Sequence, residues 1–297
     1  MIIRNEKDVT RVVLEVMERT VDPRLREIMV SLIEHLHGFV RDVGLTEKEF
    51  RAATELLNDI GQQKTDTHNE MVLMAGSLGV SSLVCLLNNG NDGQTETNQS
   101  MLGPFWRLNS PRTENGASIV RSETPGARIF VDLCYVDTEG SPLEGVEVDV
   151  WHASTVGLYE SQDPTQTDMN LRGKFITDKA GRAWFSSIKP SGYPIPTDGV
   201  VGKLLAAQNR HPFRPAHLHA LSFKEGFKTL ISQIFSDDDE KLDTDAQFGV
   251  TEALIARYER HDETHSVETS IDVPWYTLDC ALVMEHGESE LPQPPIK

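Results

Sequence analysis

The stretch YPIPTDGVVGKLLAAQNRHPFRPAHLHALSF, Tyr193 to Phe223, holds a phenol among prolines, an Arg-Pro pair and two imidazoles one residue apart. Its end, His217–Phe223, reads as a β-strand. Side chains alternate across a strand, so His217 and His219 share one face and Leu218 takes the other. Gly199–Gln208 reads as a short helix, and the prolines fix φ in the segments around it.

Outward from this strand, short β-branched runs alternate with turn residues. They are Arg128–Val136 (RIFVDLCYV), TEGSP as a turn, Val146–Trp151 (VEVDVW), Gly173–Thr177, DKAG as a turn, Ala183–Ser187, Thr229–Phe235 and Ile271–Val283. Strands at this spacing predict a β-sandwich. A second short helix is expected near Glu252–Arg260, and ESELPQPPIK at the end reads as a loose tail. The residues before Asn88 read as helices instead. Val9, Val12, Val13 and Val16 mark a helix over Lys7–Thr20. Asp22 as N-cap and Pro23 at N1 open a second, running to about Val43. Its apolar residues Leu25, Met29, Leu32, Leu36, Phe39 and Val43 form a heptad-like seam. Pairing of two chains and packing among helices of one chain both explain that seam. Thr46 with Glu49 is a capping box opening a third helix to about Ile60, and a fourth is expected over Asn69–Leu87. NNGNDGQTETNQS, Asn88 to Ser100, is polar and aperiodic and reads as a linker. The expected fold is thus α+β: a helical segment with its linker over 1–100, then a mainly antiparallel β-sandwich over 101–297.

Composition narrows the function. Acidic residues outnumber basic ones 46 to 28 and the formal net charge is -18, a field that repels nucleic acid. The 3 cysteines include no CxxC, which suits a reducing compartment. Without a signal-peptide pattern or an apolar run approaching ~18 residues, a cytoplasmic protein with no membrane span is expected.

His217 and His219 on one strand face make a metal clamp, and equally a pair of hydrogen-bonded half-buried histidines. No carboxylate stands beside them as a facial-triad iron site requires, and no HExxH or cysteine cluster suggests zinc. Tyr193 lies in the same stretch and Tyr159 follows a strand. Each tyrosine taken alone suits a packed aromatic. Beside a multiply charged cation a phenol becomes a phenolate, and two phenolates with two imidazoles favour Fe(III). Arg214 reads either as a fixed cationic donor or as a salt-bridge partner. Gln233 reads as a donor to a ligand or as a structural amide. His211 falls outside the histidine pair, and Trp151 and Trp184 read as core.

The motifs LGPFW (Leu102–Trp106), VDVWHASTVGLYESQDP (Val148–Pro164), LRGKFITDKAG (Leu171–Gly181), KPSGYPIPTDG (Lys189–Gly199) and RHPFRPAHLH (Arg210–His219) together resemble the intradiol ring-cleaving dioxygenases, over nearly the whole chain. The resemblance implies one non-haem Fe(III) per chain, held by Tyr159, Tyr193, His217 and His219, with Arg214 and Gln233 over the ring. It implies a diol that chelates the iron, displacing Tyr193 as a base, and is then opened by O2 between its hydroxyls to a dicarboxylate. GYPIPTDG and LGPF look like the hydroxyquinol-cleaving branch, with Leu102, Gly103, Pro104, Phe105, Ile195 and Pro196 lining the ring pocket. Catechol or a substituted catechol is the alternative substrate, and a non-catalytic β-sandwich binding module is the remote one. Cys85 stands where that branch leads one to expect an aspartate reading the third hydroxyl. The resemblance also implies a homodimer joined through the N-terminal helices, with a phospholipid enclosed between them.

Overall fold

The computed structural model describes residues 2–66, 68–88, 97–263 and 272–295. The chain divides into two compact units, Met1–Asn58 and Asp59–Lys297. That division places the helices after residue 58 with the β-structure, whereas composition suggests a boundary near residue 100. Residues 89–96, the bulk of the expected linker, lie outside the described residues, as do Ile271 of the expected last strand and the final two residues of the tail.

The smaller unit holds helices α1 (Glu6–Met17), α2 (Pro23–Asp42) and most of α3 (Glu47–Gln62). Local chemistry sets their ends. The Asp22 carboxylate accepts from the backbone N–H of Arg24 and Leu25 ahead of Pro23. The Thr46–Glu49 capping box closes reciprocally, at 2.9 and 3.3 Å. Helix α1 packs on α2, with Thr10 Oγ1 2.9 Å from His37 Nδ1. The α2 seam nevertheless stays open: Leu32 is 51%, Leu36 49% and Phe39 53% exposed. Packing among the helices of the smaller unit therefore leaves this stripe uncovered.

In the larger unit the expected helix over Asn69–Leu87 is two helices, α4 (Glu70–Ser77) and α5 (Val80–Asn88), bent by 76°. Gly79 at the break has φ +73°, a conformation that ends a helical run and that glycine adopts without a Cβ penalty. Among the described residues no single helix is long and apolar enough to cross a membrane.

The strands are β1 (Arg128–Asp137), β2 (Glu147–Trp151), β3 (Arg172–Ile176), β4 (Arg182–Ile188), β5 (Tyr193–Pro194), β6 (Phe213–Arg214), β7 (His217–Phe223), β8 (Leu230–Ser236), β9 (Ile255–Ala256), β10 (Tyr258–His261) and β11 (Trp275–Met284), with helix α6 (Val200–Ala207) between β5 and β6. One sheet has the order β10-β11-β1-β4 and the other β3-β2-β7-β8-β9. Most neighbours are antiparallel, but β1 with β11 and β8 with β9 run parallel, so both sheets are mixed. Ile129, Val131 and Leu133 of the first sheet meet Val148, Val150, Leu218 and Ala220 of the second in one buried core. The expected helix over Glu252–Arg260 is instead a single 3-10 turn followed by β9 and β10, because Phe235 and Leu278 offer open strand edges to Ile255 and Tyr258. Trp184 is not core. Ala183 and Phe185 point inward on β4, so Trp184 points outward and is 38% exposed.

The alternation that buries Leu218 and Ala220 sends His217, His219 and Leu221 to the other face of the five-stranded sheet. A second apolar cluster covers that face: Phe105, Trp106, Trp151, Tyr159, Tyr193 and Leu221.

Candidate active site and metal centre

Three elements bring the site together. Strand β7 supplies both imidazoles, flanked by β2 and β8 in register, with Trp151 and Gln233 each opposite His219. The loop after β2 supplies Tyr159. The β5–β6 ribbon sets Tyr193 opposite Arg214. At the turn before Tyr159, Gly157 has φ +79°, and a Cβ there would stand 2.6 Å from Tyr193 Cβ. Only a glycine lets the two tyrosine-bearing segments close to this distance.

All four predicted ligands are buried. The Tyr159 and Tyr193 hydroxyls lie 3.2 Å apart, and so do Nε2 of His217 and Nε2 of His219. His217 Nδ1 donates to the Pro215 carbonyl at 2.7 Å, so in the neutral ring the lone pair sits on Nε2, facing the site. Burial first, then the Arg214 charge, push the His217 pKa down to about 3. Burial and the neighbouring His217 hold His219 well below the usual imidazole range. Its ring stacks on Trp151 at 4.6 Å, and its Nδ1 has no partner among the described residues. Burial raises the pKa of both phenols; Tyr193 raises Tyr159 further, whereas Arg214 works against the rise at Tyr193.

Such a cluster could hold a cation: two neutral imidazoles turn nitrogens toward one another, and two buried phenols lie beside them. A multiply charged cation would reverse the effect of burial and hold the phenols as phenolates. The donor set, two hard oxygens and two imidazole nitrogens, fits ferric iron. Clusters built only from His, Cys, Asp or Glu and able to hold a metal are absent among the described residues.

Arg214 is buried and its guanidinium is fully engaged. Nε and Nη2 each donate to Asp245 at 3.0 Å, Nη2 also donates to Gln233 Oε1 at 2.8 Å, and Nη1 approaches His217 Nε2 at 3.4 Å. Burial works against both charges of the pair. Their mutual attraction outweighs it, holding Arg214 above and Asp245 below its ordinary range.

A narrow, partly open cavity adjoins this cluster. Gly103, Pro104, Phe105, Ile195, Tyr193 and Arg214 line it as the motifs predict. Leu102 and Pro196 are not among its lining residues. Leu102 packs against the outer apolar cluster instead. Gln233 lies behind Arg214, with its Nε2 donating to the Met101 carbonyl at 2.6 Å, so both ends of its amide are occupied by protein. Cys85 is also outside the lining, half-buried on α5 with its thiol pKa raised by burial. Helices α4 and α5 contribute Val72, Leu73 and Ser81, and Gln247 closes the cavity. Asp245 and Gln247 escape sequence reasoning because their loop, DTDAQFG, has no periodicity and its acids look like surface residues.

The fold is a β-sandwich in which two tyrosines and two histidines cluster beside a largely apolar cavity. Residues 101–279 match the family described as Dioxygenase, and residues 22–96 match Catechol dioxygenase N terminus. The hydroxyquinol 1,2-dioxygenase of Rhizobium sp. (strain MTP-10005) is 41% identical over 249 residues, 83% of each chain. The catechol 1,2-dioxygenase of Candida albicans is 36% identical, over 81% of this chain and 80% of that one. The crystal structure of hydroxyquinol 1,2-dioxygenase from Pseudomonas putida DLL-E4 superposes with a TM-score of 0.86 at 34% identity, covering 95% of this chain and 99% of that one. The chain belongs to the intradiol ring-cleavage dioxygenases, a family that uses non-haem ferric iron.

Proposed function

We propose that the protein is a hydroxyquinol 1,2-dioxygenase. It opens benzene-1,2,4-triol with O2 between the adjacent hydroxyls to give 3-hydroxy-cis,cis-muconate, the maleylacetate tautomer. Tyr159, Tyr193, His217 and His219 would hold one Fe(III) per chain. The observation that carries this reading is the convergence of two buried phenols and two neutral imidazoles, with Tyr193 at the wall of an apolar cavity.

Ferric iron at that centre would withdraw electron density from a chelated diol and so prepare the ring for O2. The protein's own part follows from the geometry. Of the four donor residues, Tyr193 is the one that lines the cavity, so an incoming diol meets this residue first. We assign Tyr193 as the base that takes a hydroxyl proton from the diol. Arg214 lines the same cavity and presents a permanent charge to negative character on the ring. Gln233 and Asp245 fix its plane. Phe105, Pro104 and Ile195 hold the ring and keep water away from it.

In this reading residues 101–297 carry the iron chemistry, while the helices before them pair two subunits. The half-exposed seam of α2 and an apolar groove bordered by Phe39, Val40, Phe50 and Leu57 support a homodimer with a phospholipid chain at its helices.

The test is to measure iron, colour and product together. The purified protein should contain about one ferric ion per chain, resting on the four-donor site. It should show a broad visible band that shifts with hydroxyquinol, and should convert the triol with uptake of O2. Full activity in a colourless, iron-free protein would overturn the assignment. Higher kcat/KM for catechol would leave the centre standing and move the substrate to catechol.

A further inference from the structure

The polar side chains lining the cavity are Ser81, Tyr193, Arg214 and Gln247. Tyr193 and Arg214 belong to the end that receives the adjacent hydroxyls. A third hydroxyl, on the far side of the ring, therefore has Ser81 and Gln247 to meet. The two differ in burial: Gln247 is 4% exposed, whereas Ser81 is half-buried.

Gln247 is also held in place. Its backbone N–H donates to Asp245 Oδ1 at 3.1 Å, and its Nε2 donates to Ser77 Oγ at 2.6 Å. No donor among the described residues reaches its Oε1. The position of that oxygen depends on a missing side chain. A Cβ on Gly76 would lie 1.9 Å from Gln247 Oε1 and 2.9 Å from Gln247 Cδ, so the carboxamide fills space that any other residue at position 76 would occupy. An amide oxygen left without a donor once a bound ring excludes water is costly, and a phenolic O–H relieves that cost where a bare C–H does not.

We infer that Gln247, seated in the space left by Gly76, is the residue that reads the third hydroxyl and sets the preference for hydroxyquinol over catechol. The inference rests on the substrate reading given above. It assigns to this pair the role that sequence pattern suggests for position 85.

The experiment uses the iron-loaded enzyme and the ratio of kcat/KM for hydroxyquinol to that for catechol. Iron content and the visible band are checked in each variant. Anaerobic titration of that band gives Kd for each substrate. In Gln247→Leu the ratio should fall about tenfold, the scale of one lost hydrogen bond, chiefly through KM and Kd for hydroxyquinol. Gly76→Ala leaves Gln247 in the chain but displaces its carboxamide, and should lower the ratio in the same direction. If Gln247→Leu does not load iron, the Gly76→Ala ratio decides alone. A wild-type preference for hydroxyquinol that survives both changes would overturn the inference and leave the substrate reading intact. A ratio that collapses in Ser81→Ala but not in Gln247→Leu would likewise overturn it. A wild-type enzyme without the preference would overturn both.

Discussion

Replacing Asp245 with asparagine removes one charge from a fully buried ion pair while preserving the shape of the side chain. Each carboxylate oxygen accepts two hydrogen bonds. Oδ1 takes Arg214 Nε at 3.0 Å and the Gln247 N–H at 3.1 Å; Oδ2 takes Arg214 Nη2 at 3.0 Å and the Gly249 N–H at 2.8 Å. An amide in either orientation therefore turns its NH2 toward one guanidinium N–H and one backbone N–H. Neither rotamer relieves the clash. Arg214 cannot escape by losing its proton, because a guanidinium stays charged in proteins. The result is a buried cation with its counter-charge gone, a loss of about 3–5 kcal/mol.

At about 2–4 °C per kcal/mol for a domain near this size, Tm should drop by roughly 6–20 °C. Thermal unfolding of the ferric enzyme, followed by near-UV circular dichroism, reads this directly. The double change Arg214→Met with Asp245→Asn removes both charges yet keeps an acceptor for a backbone N–H, and should recover part of the loss, while ring cleavage stays slow for want of the guanidinium. The pH dependence has a definite sign. Asp245 is held below its ordinary range in the fold, so its contribution is complete above about pH 4 and disappears as pH falls through the lower folded value. The gap between wild type and Asp245→Asn should close in acid. A Tm within about 3 °C of wild type, or a double variant no more stable than the single one, would refute the claim that this pair holds Arg214 in place.

Three further outcomes follow from the same geometry. His217→Ala or His219→Ala should lose both iron and colour, whereas Tyr193→Phe should retain some iron yet lose most turnover; iron assay and O2 uptake separate the two effects, and wild-type turnover in Tyr193→Phe would remove it from the proton-transfer role. Charged residues at Leu32 and Leu36 should weaken the dimer without altering the visible band, which light scattering at micromolar concentration checks; a monomer mass for the wild type would end the pairing proposal. His152 is buried, with Nδ1 donating to the Ala153 carbonyl and Nε2 bonded to Ser187 Oγ, and burial lowers its pKa to about 4. An unfolded histidine titrates near 6.5, so this group costs stability as pH falls from about 6.5 to about 4, by at most about 3 kcal/mol; His152→Gln should flatten that limb of the stability profile.

Residues whose partners are close in sequence were legible, and those whose partners are distant were not. The capping box at Thr46 and the Asp22–Pro23 helix start are local, and the structure places both as read. The strand period of two put His217 and His219 on one face. The same rule applied to β4 would have turned Trp184 outward, where residue size alone suggested core. The break at Gly79 was hidden because the apolar pattern runs on through Leu78, and a glycine inside such a run has no local mark of its φ. EALIARYER passed for a helix because Leu254 and Tyr258 stand four apart; the open edges of β8 and β11, contributed from elsewhere in the chain, decided otherwise. The site divides along the same line. The histidines show themselves as a pair, and the tyrosines by the motifs around them. Asp245 acquires a meaning only when β6 brings a buried guanidinium against it, 31 residues away in sequence. Gln247 likewise depends on Gly76, a residue conspicuous for what it lacks. Position 85 drew attention because the hydroxyquinol-cleaving branch leads one to expect an aspartate there, yet the structure leaves space at Gly76 and fills it with Gln247 from another loop. Specificity in such a cavity belongs to the pair, a vacancy and the side chain that occupies it, and a sequence read one residue at a time shows neither half as a site.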